Sequence, residues 1–421
     1  MEKNALEGPA VAWMAGIVFL ALAARVAVIF LLRNFDAVTG YENEEIALNL
    51  IAGRGYSMAV FGPLVPTAYQ YPLYTFFLAL HFLLFGKNYL FVEFSQALLG
   101  SLSSLLLVYL GRNLFDRLTG LAAGLLCAVY PIYVYWVTRG QALTLEIFLL
   151  IALLLLVLRA MKQDRVRDWA LAGFGLGLAT LSKTIYLILA PAFLLWAWLW
   201  RRPAFPRLVR NAAVFGIAAA AAIAPWTIRN AITLHAFVPV TTNGGFNFWV
   251  GNNPNASGSI FTADHRGMWE TLSPEMLARL RSAPDVEKER IFSQAAWSYI
   301  REHPARCVAL IPAKLRALWW FDPDMPSDFP VVREVVYVLL LVPALLGMIA
   351  SRRKWRELSI FYLTYLTLSA AYSVYYGGAR FRYVIEFSLI LFAASFLVSM
   401  ARHWGSRLGS GSSEVGKKFI Q

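Results

Sequence analysis

Charge is what this chain has least of. Asp, Glu, Lys and Arg make up only 15% of its 421 residues, where soluble domains carry about 25%. Acids are the scarcer half, with 25 Asp and Glu against 38 Lys and Arg. Cysteine is scarcer still. Cys127 and Cys307 stand far apart, so no disulfide framework and no metal-binding spacing is written into the chain. The five histidines, His81, His235, His265, His303 and His403, are scattered and form no zinc-like pattern. A Walker-type phosphate loop is missing, and so is a glycine fingerprint following a strand. These absences argue against an ATP-driven or nicotinamide-dependent mechanism.

What the chain has in abundance is apolar length. Hydrophobic residues make up 59%, and the mean hydropathy is +0.56. Runs of about 20 apolar residues recur, each enough to cross a hydrocarbon core of about 30 Å. The chain therefore reads as an all-α, polytopic integral membrane protein. The first apolar run, Ala10 to Leu32, is too long for a signal-peptide core and lacks a small-residue cleavage pattern, so it reads as a retained span. A net charge of +13 would suggest nucleic acid in a soluble protein. Here the basic residues bracket apolar segments, so topology and anionic membrane lipid explain them, and no nucleic-acid partner is expected.

The distribution of Lys and Arg sets the expected topology. Basic connections occur at residues 112–117, 159–167, 201–210 and 352–356, and in a tail carrying Arg402, Arg407, Lys417 and Lys418. The positive-inside rule puts these in the cytoplasm. The expected spans are roughly 11–33, 91–111, 119–137, 142–160, 169–182, 186–200, 212–230, 332–350, 358–376 and 382–401. About ten crossings leave both termini cytoplasmic and two large segments outside, residues 34–90 and 231–331. The apolar stretches Tyr71–Phe85 and Cys307–Phe321 break this parity, so they are expected as helices lying in the outer interface. Residues 1–401 then form one transmembrane domain, and the Gly/Ser-rich residues 402–421 a disordered cytoplasmic tail.

Against this scarcity of acids, Thr39-Gly-Tyr-Glu-Asn-Glu-Glu45 stands out. It puts Glu42, Glu44 and Glu45 just outside the first span. Thr39 and Glu42 match a capping box, and Ile46, Leu50 and Ile51 would form the apolar face of a helix ended by Gly53. The cluster is thus either a capped surface helix or a catalytic acidic loop. Glu146 opens another span just past Arg139 and Gln141. A carboxylate at the edge of the apolar slab is costly unless it is paired or faces water. An Arg139–Glu146 pair would satisfy it. Lys183, Arg229, Arg380 and Arg382 also fall outside, against the topological bias. Tyr383 and Glu386 lie beside the last two. Singly, each cation reads as structural. Together they suit a ligand bearing a phosphate.

Several motifs then resemble a known family. Glu42…Ile46-Ala47…Gly53-Arg-Gly-Tyr56, Pro66-Thr-Ala68 and Tyr71-Pro72-Leu-Tyr74 resemble the first outer loop of the GT-C membrane glycosyltransferases. The branch is the family-39-like one, with protein O-mannosyltransferases and aminoarabinose transferases. Thr144-Leu-Glu146 resembles its second-loop acidic position. Pro225-Trp-Thr-Ile-Arg-Asn230, Trp249-Val-Gly-Asn-Asn253 and Arg380-Phe-Arg-Tyr383 resemble later elements. The resemblance implies a GT-C-like fold in a plasma (inner) membrane, with the active site on the extracytoplasmic or periplasmic face. It implies a polyprenyl-phosphate sugar donor and a first-loop acid as catalytic base. Many members carry Asp or Asp-Glu where this chain has Tyr41-Glu42. That departure leaves Glu42 and Glu45 both open as the base, and the need for a divalent metal open too.

The chemistry stands beside the resemblance. Inverting transfer needs a carboxylate to take the acceptor's proton, with Glu42, Glu45 and Glu146 as candidates. The departing lipid phosphate needs fixed cations, with Lys183, Arg229, Arg380, Arg382 and Tyr383 as the candidate donor-phosphate site. The acceptor is a glycan, a lipid or a protein. A transporter or flippase of lipid-linked sugars is the competing class. It would call for charges near the bilayer midplane and repeat symmetry, neither of which is visible. A noncatalytic scaffold is a third option, with the loop acids as helix caps.

Overall fold

The computed structural model describes residues 7–38, 40–59, 61–320 and 329–417. It is a helical bundle with a helical outer segment. The membrane half starts with α1 (Glu7–Leu32), α2 (Tyr41–Ile51), α3 (Pro72–Phe85), α4 (Tyr89–Leu114), α5 (Arg117–Val129) and α6 (Pro131–Tyr135). It continues with α7 (Leu143–Gln163), α8 (Val166–Ser182), α9 (Leu189–Arg201) and α10 (Phe205–Leu234). The outer segment holds α11 (Gly244–Gly251), α12 (Pro274–Ser282), α13 (Asp285–Glu302), α14 (Pro304–Ala309) and α15 (Ile311–Trp319). Then follow α16 (Pro330–Ala350), α17 (Trp355–Val374), α18 (Ala379–Tyr383) and α19 (Glu386–Lys417). One two-residue hairpin, β1 (Ser57–Met58) with β2 (Val65–Pro66), lies in the first loop.

All ten expected spans are helical, but fewer qualify as crossings. Among the described residues, seven helices are long and apolar enough to cross a membrane, or eight if α5 and the segment Pro131–Thr138, bent by 49°, count as one span. The expected spans 169–182 and 358–376 fall short. The first lies in α8, which has only 17 residues. The second lies in α17, where Ser, Thr and Tyr interrupt the apolar run. Both are held by packing. In α8, a Cβ on Gly173 would lie 2.1 Å from the Phe215 carbonyl oxygen of α10, so the two helices meet backbone to backbone. α3 has 14 residues, about 21 Å at 1.5 Å each, too short to cross. The stretch 307–321 is likewise broken into α14 and α15, and its last residue, Phe321, lies outside the described residues. The final helix runs through the Gly/Ser-rich stretch to Lys417, where composition suggested disorder; residues 418–421 lie outside the described residues.

The surface is inverted relative to a soluble protein. Phe19, Leu31, Ile217, Ile232 and Leu366 are all more than two-thirds exposed on the outsides of long helices. In water such a patch would drive association; in a bilayer it meets chains as apolar as itself. The main core joins α4, α5, α7–α10, α16, α17 and α19. A second core docks the outer segment onto the bundle, packing Phe246, Trp249, Met268 and Phe292 against Leu368, Tyr372 and Phe381.

Two buried arginines in this apolar frame are satisfied in different ways. Arg382 and Glu386, both almost fully buried, meet with Nε 2.7 Å from Oε1. Arg382 also donates to the Trp320 carbonyl at 2.9 Å and lies 3.5 Å from the centroid of the Tyr337 ring. Tyr130 donates its hydroxyl to the other Glu386 oxygen at 2.7 Å. Arg25, fully buried in α1, donates to the Ala128 carbonyl at 2.9 Å and caps α5 at the bend.

Two outcomes follow from these contacts. Arg382→Ala leaves the Glu386 carboxylate buried and unpaired, which costs about 3–5 kcal/mol. Thermal unfolding in detergent will show a large fall in stability, and a variant as stable as the parent contradicts a structural role. In the outer segment, Glu289 accepts from the Gly245 N–H at 2.6 Å, yet burial raises its pKa from 4.5 to about 7. A carboxyl with a raised folded pKa contributes stability below its unfolded value and loses it as pH rises through the folded one. Stability will therefore fall between about pH 4.5 and 7. Glu289→Gln will flatten that slope and be the more stable form at pH 8; an unchanged slope rules the assignment out.

Candidate active site

The acidic helix α2 sorts its three carboxylates by direction. Successive residues turn by about 100°, so Glu42, Glu44 and Glu45 cannot share one face. Glu44 folds back as the cap. Its Oε2 accepts from the Gly40 N–H at 3.2 Å and the Tyr89 hydroxyl at 2.7 Å, and the carboxylate pairs with Lys87. Gly40 is needed here, because a Cβ would overlap the Tyr89 hydroxyl. The expected cap is corrected accordingly: Thr39 lies outside the described residues, and Glu44 rather than Glu42 closes the first turn. Glu45 leaves in another direction and accepts from the Ala59 N–H at 2.9 Å, which ties down the first loop. Glu42 points into a cavity, where it accepts from the Gln70 amide at 3.3 Å. Among the described residues it forms no ion pair.

That cavity has a volume of about 1060 Å³, at the top of the 300–1,000 Å³ range of ligand sites. It lies where the outer segment meets the helix ends. Glu42, Glu146, Lys183, Arg380 and Tyr383 all line it. Glu146, in the first turn of α7, accepts from the Tyr186 hydroxyl and from Lys183 Nζ at 3.4 Å. Lys183, and not Arg139, is thus its partner. Lys183 sits at the end of α8 with its ammonium 4.7 Å from the Phe381 ring centroid. Burial pulls its pKa down, and the Glu146 carboxylate opposes that fall.

Arg380 projects from α18 with its guanidinium over the Phe381 ring, 5.1 Å from the centroid. It makes a long donation to the Tyr376 hydroxyl at 3.4 Å. Among the described residues it makes no ion pair. Tyr376 in turn donates to Asn247 Oδ1 at 3.3 Å, so this corner is tied to the outer segment. Two more cations line the cavity, Arg139 and Arg333. Among the described lining residues, four cations stand against Glu42 and Glu146, a formal +2 (4 − 2).

Three expected site residues are elsewhere. Glu45 is used in the loop contact above. Arg382 points into the core, about 200° around α18 from Arg380, and its charge is neutralised by Glu386. Arg229 is a loop staple. It donates to the Thr67 carbonyl at 2.7 Å and the Tyr56 carbonyl at 2.9 Å, and it packs on the rings of Tyr56 and Trp226. None of these three lines the cavity.

The sequence reading passed over Arg333, Gln70, Tyr186 and Trp269. Arg333 carried a signal: it is a lone cation in the first turn of an apolar helix, the end where the helix dipole disfavours it. Gln70, Tyr186 and Trp269 are ordinary residues by pattern, placed only by tertiary contacts. No metal donor set is assembled: among the described residues, no three of His, Cys, Asp and Glu gather. Glu146 is moreover occupied by Lys183 and Tyr186, so the described residues of the cavity do not fit a metal.

Comparison with known proteins finds a partial sequence match and a shared fold. Residues 66–228 match the model for dolichyl-phosphate-mannose-protein mannosyltransferase. The match includes Glu146 and Lys183, while Glu42 and Arg380 fall outside it. No curated protein matches the chain by sequence. Among solved structures, the oligosaccharyltransferase of Archaeoglobus fulgidus in its apo form is 16% identical, with a TM-score of 0.59, over 95% of this chain and 52% of that one. The AglB oligosaccharyltransferase of the same organism, in complex with an inhibitory peptide and a dolichol-phosphate, is 15% identical with a TM-score of 0.58, again over 95% and 52%. ArnT from Cupriavidus metallidurans, bound to undecaprenyl phosphate, is 15% identical with a TM-score of 0.44, over 92% and 78%. The chain spans about half the length of the archaeal structures, and at these identities the likeness is one of fold. Residues 66–228 are thus similar in sequence to the protein mannosyltransferase family, and the chain shares its fold with the archaeal oligosaccharyltransferase.

Proposed function

We propose that the chain transfers a sugar from a polyprenyl-phosphate donor to an acceptor hydroxyl, with inversion, in the cavity that Glu42 and Arg380 share. One observation carries this reading. The same cavity holds a carboxylate and a guanidinium that, among the described residues, form no ion pair. In a chain with so few acids, that leaves one group to take a proton and another to meet a phosphate.

The chemistry is a single displacement. Glu42 removes the proton from the acceptor hydroxyl. The acceptor oxygen attacks the anomeric carbon as the bond to the phosphate oxygen breaks, and attack from the opposite side inverts the centre. The negative charge released on the lipid phosphate is met by Arg380, with Arg333 and Lys183 nearby. Glu146 and Tyr186 hold Lys183 in place, and Glu146 favours its charged form against burial. Phe329, just before α16, packs on Tyr135, and with Val332 and Val336 of α16 and Trp136 it lines one side of the cavity, an apolar margin suited to the start of an isoprenoid tail. The sidedness follows the Lys and Arg distribution, with this cavity outside and both termini in the cytoplasm.

Two variants test the roles. Glu42→Gln keeps the carboxylate's shape and its contact with Gln70 but cannot accept a proton. Turnover of a radiolabelled polyprenyl-phosphate sugar will fall by about 10²–10⁴ while donor binding holds, and normal turnover removes Glu42 as the base. Arg380→Ala will raise the donor KM by about tenfold or more, with partial recovery in Arg380→Lys, since lysine restores the charge but not the fork. A donor KM that stays constant across the series removes Arg380 from the phosphate site.

A further inference from the structure

The cavity wall changes character where the outer segment supplies it. Its four cations come from the loops and ends of membrane helices. The outer segment contributes Thr241, Asn243, Asn247, Ile260, Phe261 and Trp269, together with Gly244 and Phe246, and no charged side chain among the described lining residues. An anionic or cationic acceptor would find no partner there. A neutral ligand with apolar faces and many hydroxyls would.

The centre of this wall is a small hairpin. The Thr262 N–H donates to the Arg266 carbonyl at 2.8 Å, and the Met268 N–H to the Ile260 carbonyl at 3.0 Å. The turn is closed by an Asp264–Arg266 ion pair at 2.6 Å, with His265 in the left-handed region at φ 62°. Met268 is fully buried and anchors the hairpin in the second core. The result is a rigid mount for two rings. Trp269 stands edge-on to Phe261, with centroids 6.3 Å apart. A Cβ on Gly267 would lie 2.3 Å from the Trp269 ring, so glycine lets the indole lie against the backbone on one face. The indole is nevertheless 43% exposed, and it lines the cavity. A large aromatic left that open on a fixed support gives a flat surface with little ordering cost on binding.

Neutral amides complete the wall. Asn247 uses its carbonyl oxygen for the Tyr376 hydroxyl, which leaves its N–H donors toward the cavity. Gln70 holds Glu42 with its amide nitrogen and keeps an acceptor oxygen, next to the proposed base. Tyr69, beside Gln70, packs on Phe246 at 6.4 Å, which joins the amide edge to the hairpin's core.

We propose that the Phe261–Trp269 wall is an acceptor subsite for a neutral saccharide. One sugar ring lies with its C–H face on the Trp269 indole, and its hydroxyls are read by Asn247, Asn243 and Gln70. This rests on the transfer reading above for the word acceptor, but the binding itself does not. A site built from hydrogen-bonding amides also discriminates, since a ligand lacking a matched hydroxyl leaves buried polar groups unpaired.

The test uses the full chain in nanodiscs without donor. It is screened against an array of neutral and anionic oligosaccharides and against a Ser/Thr-rich decapeptide, and the leading binder is then measured by calorimetry. The expected result is binding of a neutral oligosaccharide, weakened about tenfold or more in Trp269→Ala and largely kept in Trp269→Phe. Should Trp269→Ala fail to fold, Phe261→Ala takes its place, with a smaller loss expected. Binding of the peptide alone, of anionic glycans alone or of no glycan overturns the proposal. So does an affinity that neither aromatic variant changes. A wild-type chain that binds the saccharide but never turns over donor sinks the transfer reading and leaves this subsite standing. One that turns over donor and binds no saccharide does the reverse.

Discussion

An apolar slab tolerates a charge only where its partner is built in, and the Arg382–Glu386 pair is where this chain meets that constraint most fully. Both groups are almost fully buried, and the remaining hydrogen-bonding positions are taken by Tyr130 and by the carbonyl at the end of the outer segment. The pair joins α5–α6, α15, α16 and α19 at one point. It also fixes the five-residue helix α18. With Arg382 locked into the core, the helical turn sends Arg380 to the opposite side, into the cavity. One arginine of Arg380-Phe-Arg382 is thereby structural so that the other is available.

The same division recurs at the acidic helix. Glu44 closes the first turn, Glu45 holds the hairpin loop, and Glu42 is left facing the cavity. It recurs once more among the outer cations. Arg229 is consumed by the carbonyls of Tyr56 and Thr67 and by two aromatic faces. Asp285 does the matching work from the outer segment, accepting from the Ala68 N–H at 3.0 Å and the Thr242 hydroxyl at 2.6 Å. Staples of this kind hold Tyr69 and Gln70 beside Glu42. A charged residue at the end of an apolar span therefore does not by itself tell a loop staple from a cavity-lining group.

This marks how far the sequence could be read. The positions of the ten helices were legible, because apolar runs and basic brackets are properties of the chain alone. Two of them, α8 and α17, fall short of a crossing by length and composition alone, yet α8 carries Lys183 back to Glu146 at the start of α7. A helix in the first loop was legible from Ile46, Leu50 and Ile51, expected between a Thr39 cap and Gly53 and found at Tyr41–Ile51. Which of its acids faces the cavity was not, since that depends on Tyr89, Ala59 and Gln70, distant in sequence. The pairing of Glu146 with Lys183 across 37 positions was invisible for the same reason, and the nearer Arg139 looked the better partner. Arg333 was legible in principle, as a cation at the helix end that disfavours one.

The distribution of charge also bears on how a site of this kind could work without a metal donor set. Fixed cations act only if they are not neutralised in the resting fold and if water is held away, since both a near counterion and solvent weaken their field. Lys183 carries a counterion, Glu146, while among the described residues Arg380 has a tyrosine hydroxyl at long range and the face of Phe381. Of these two, Lys183 is balanced and Arg380 is held in reserve. An incoming phosphate would meet the reserve charge first. Glu146 would then balance a lysine that two anions share, and the lysine's depressed pKa would rise as the second anion arrived. On that account Glu146 and Glu42 do different work despite identical chemistry: one carboxylate keeps a buried ammonium from losing its proton, and the other is free to take a proton from the acceptor.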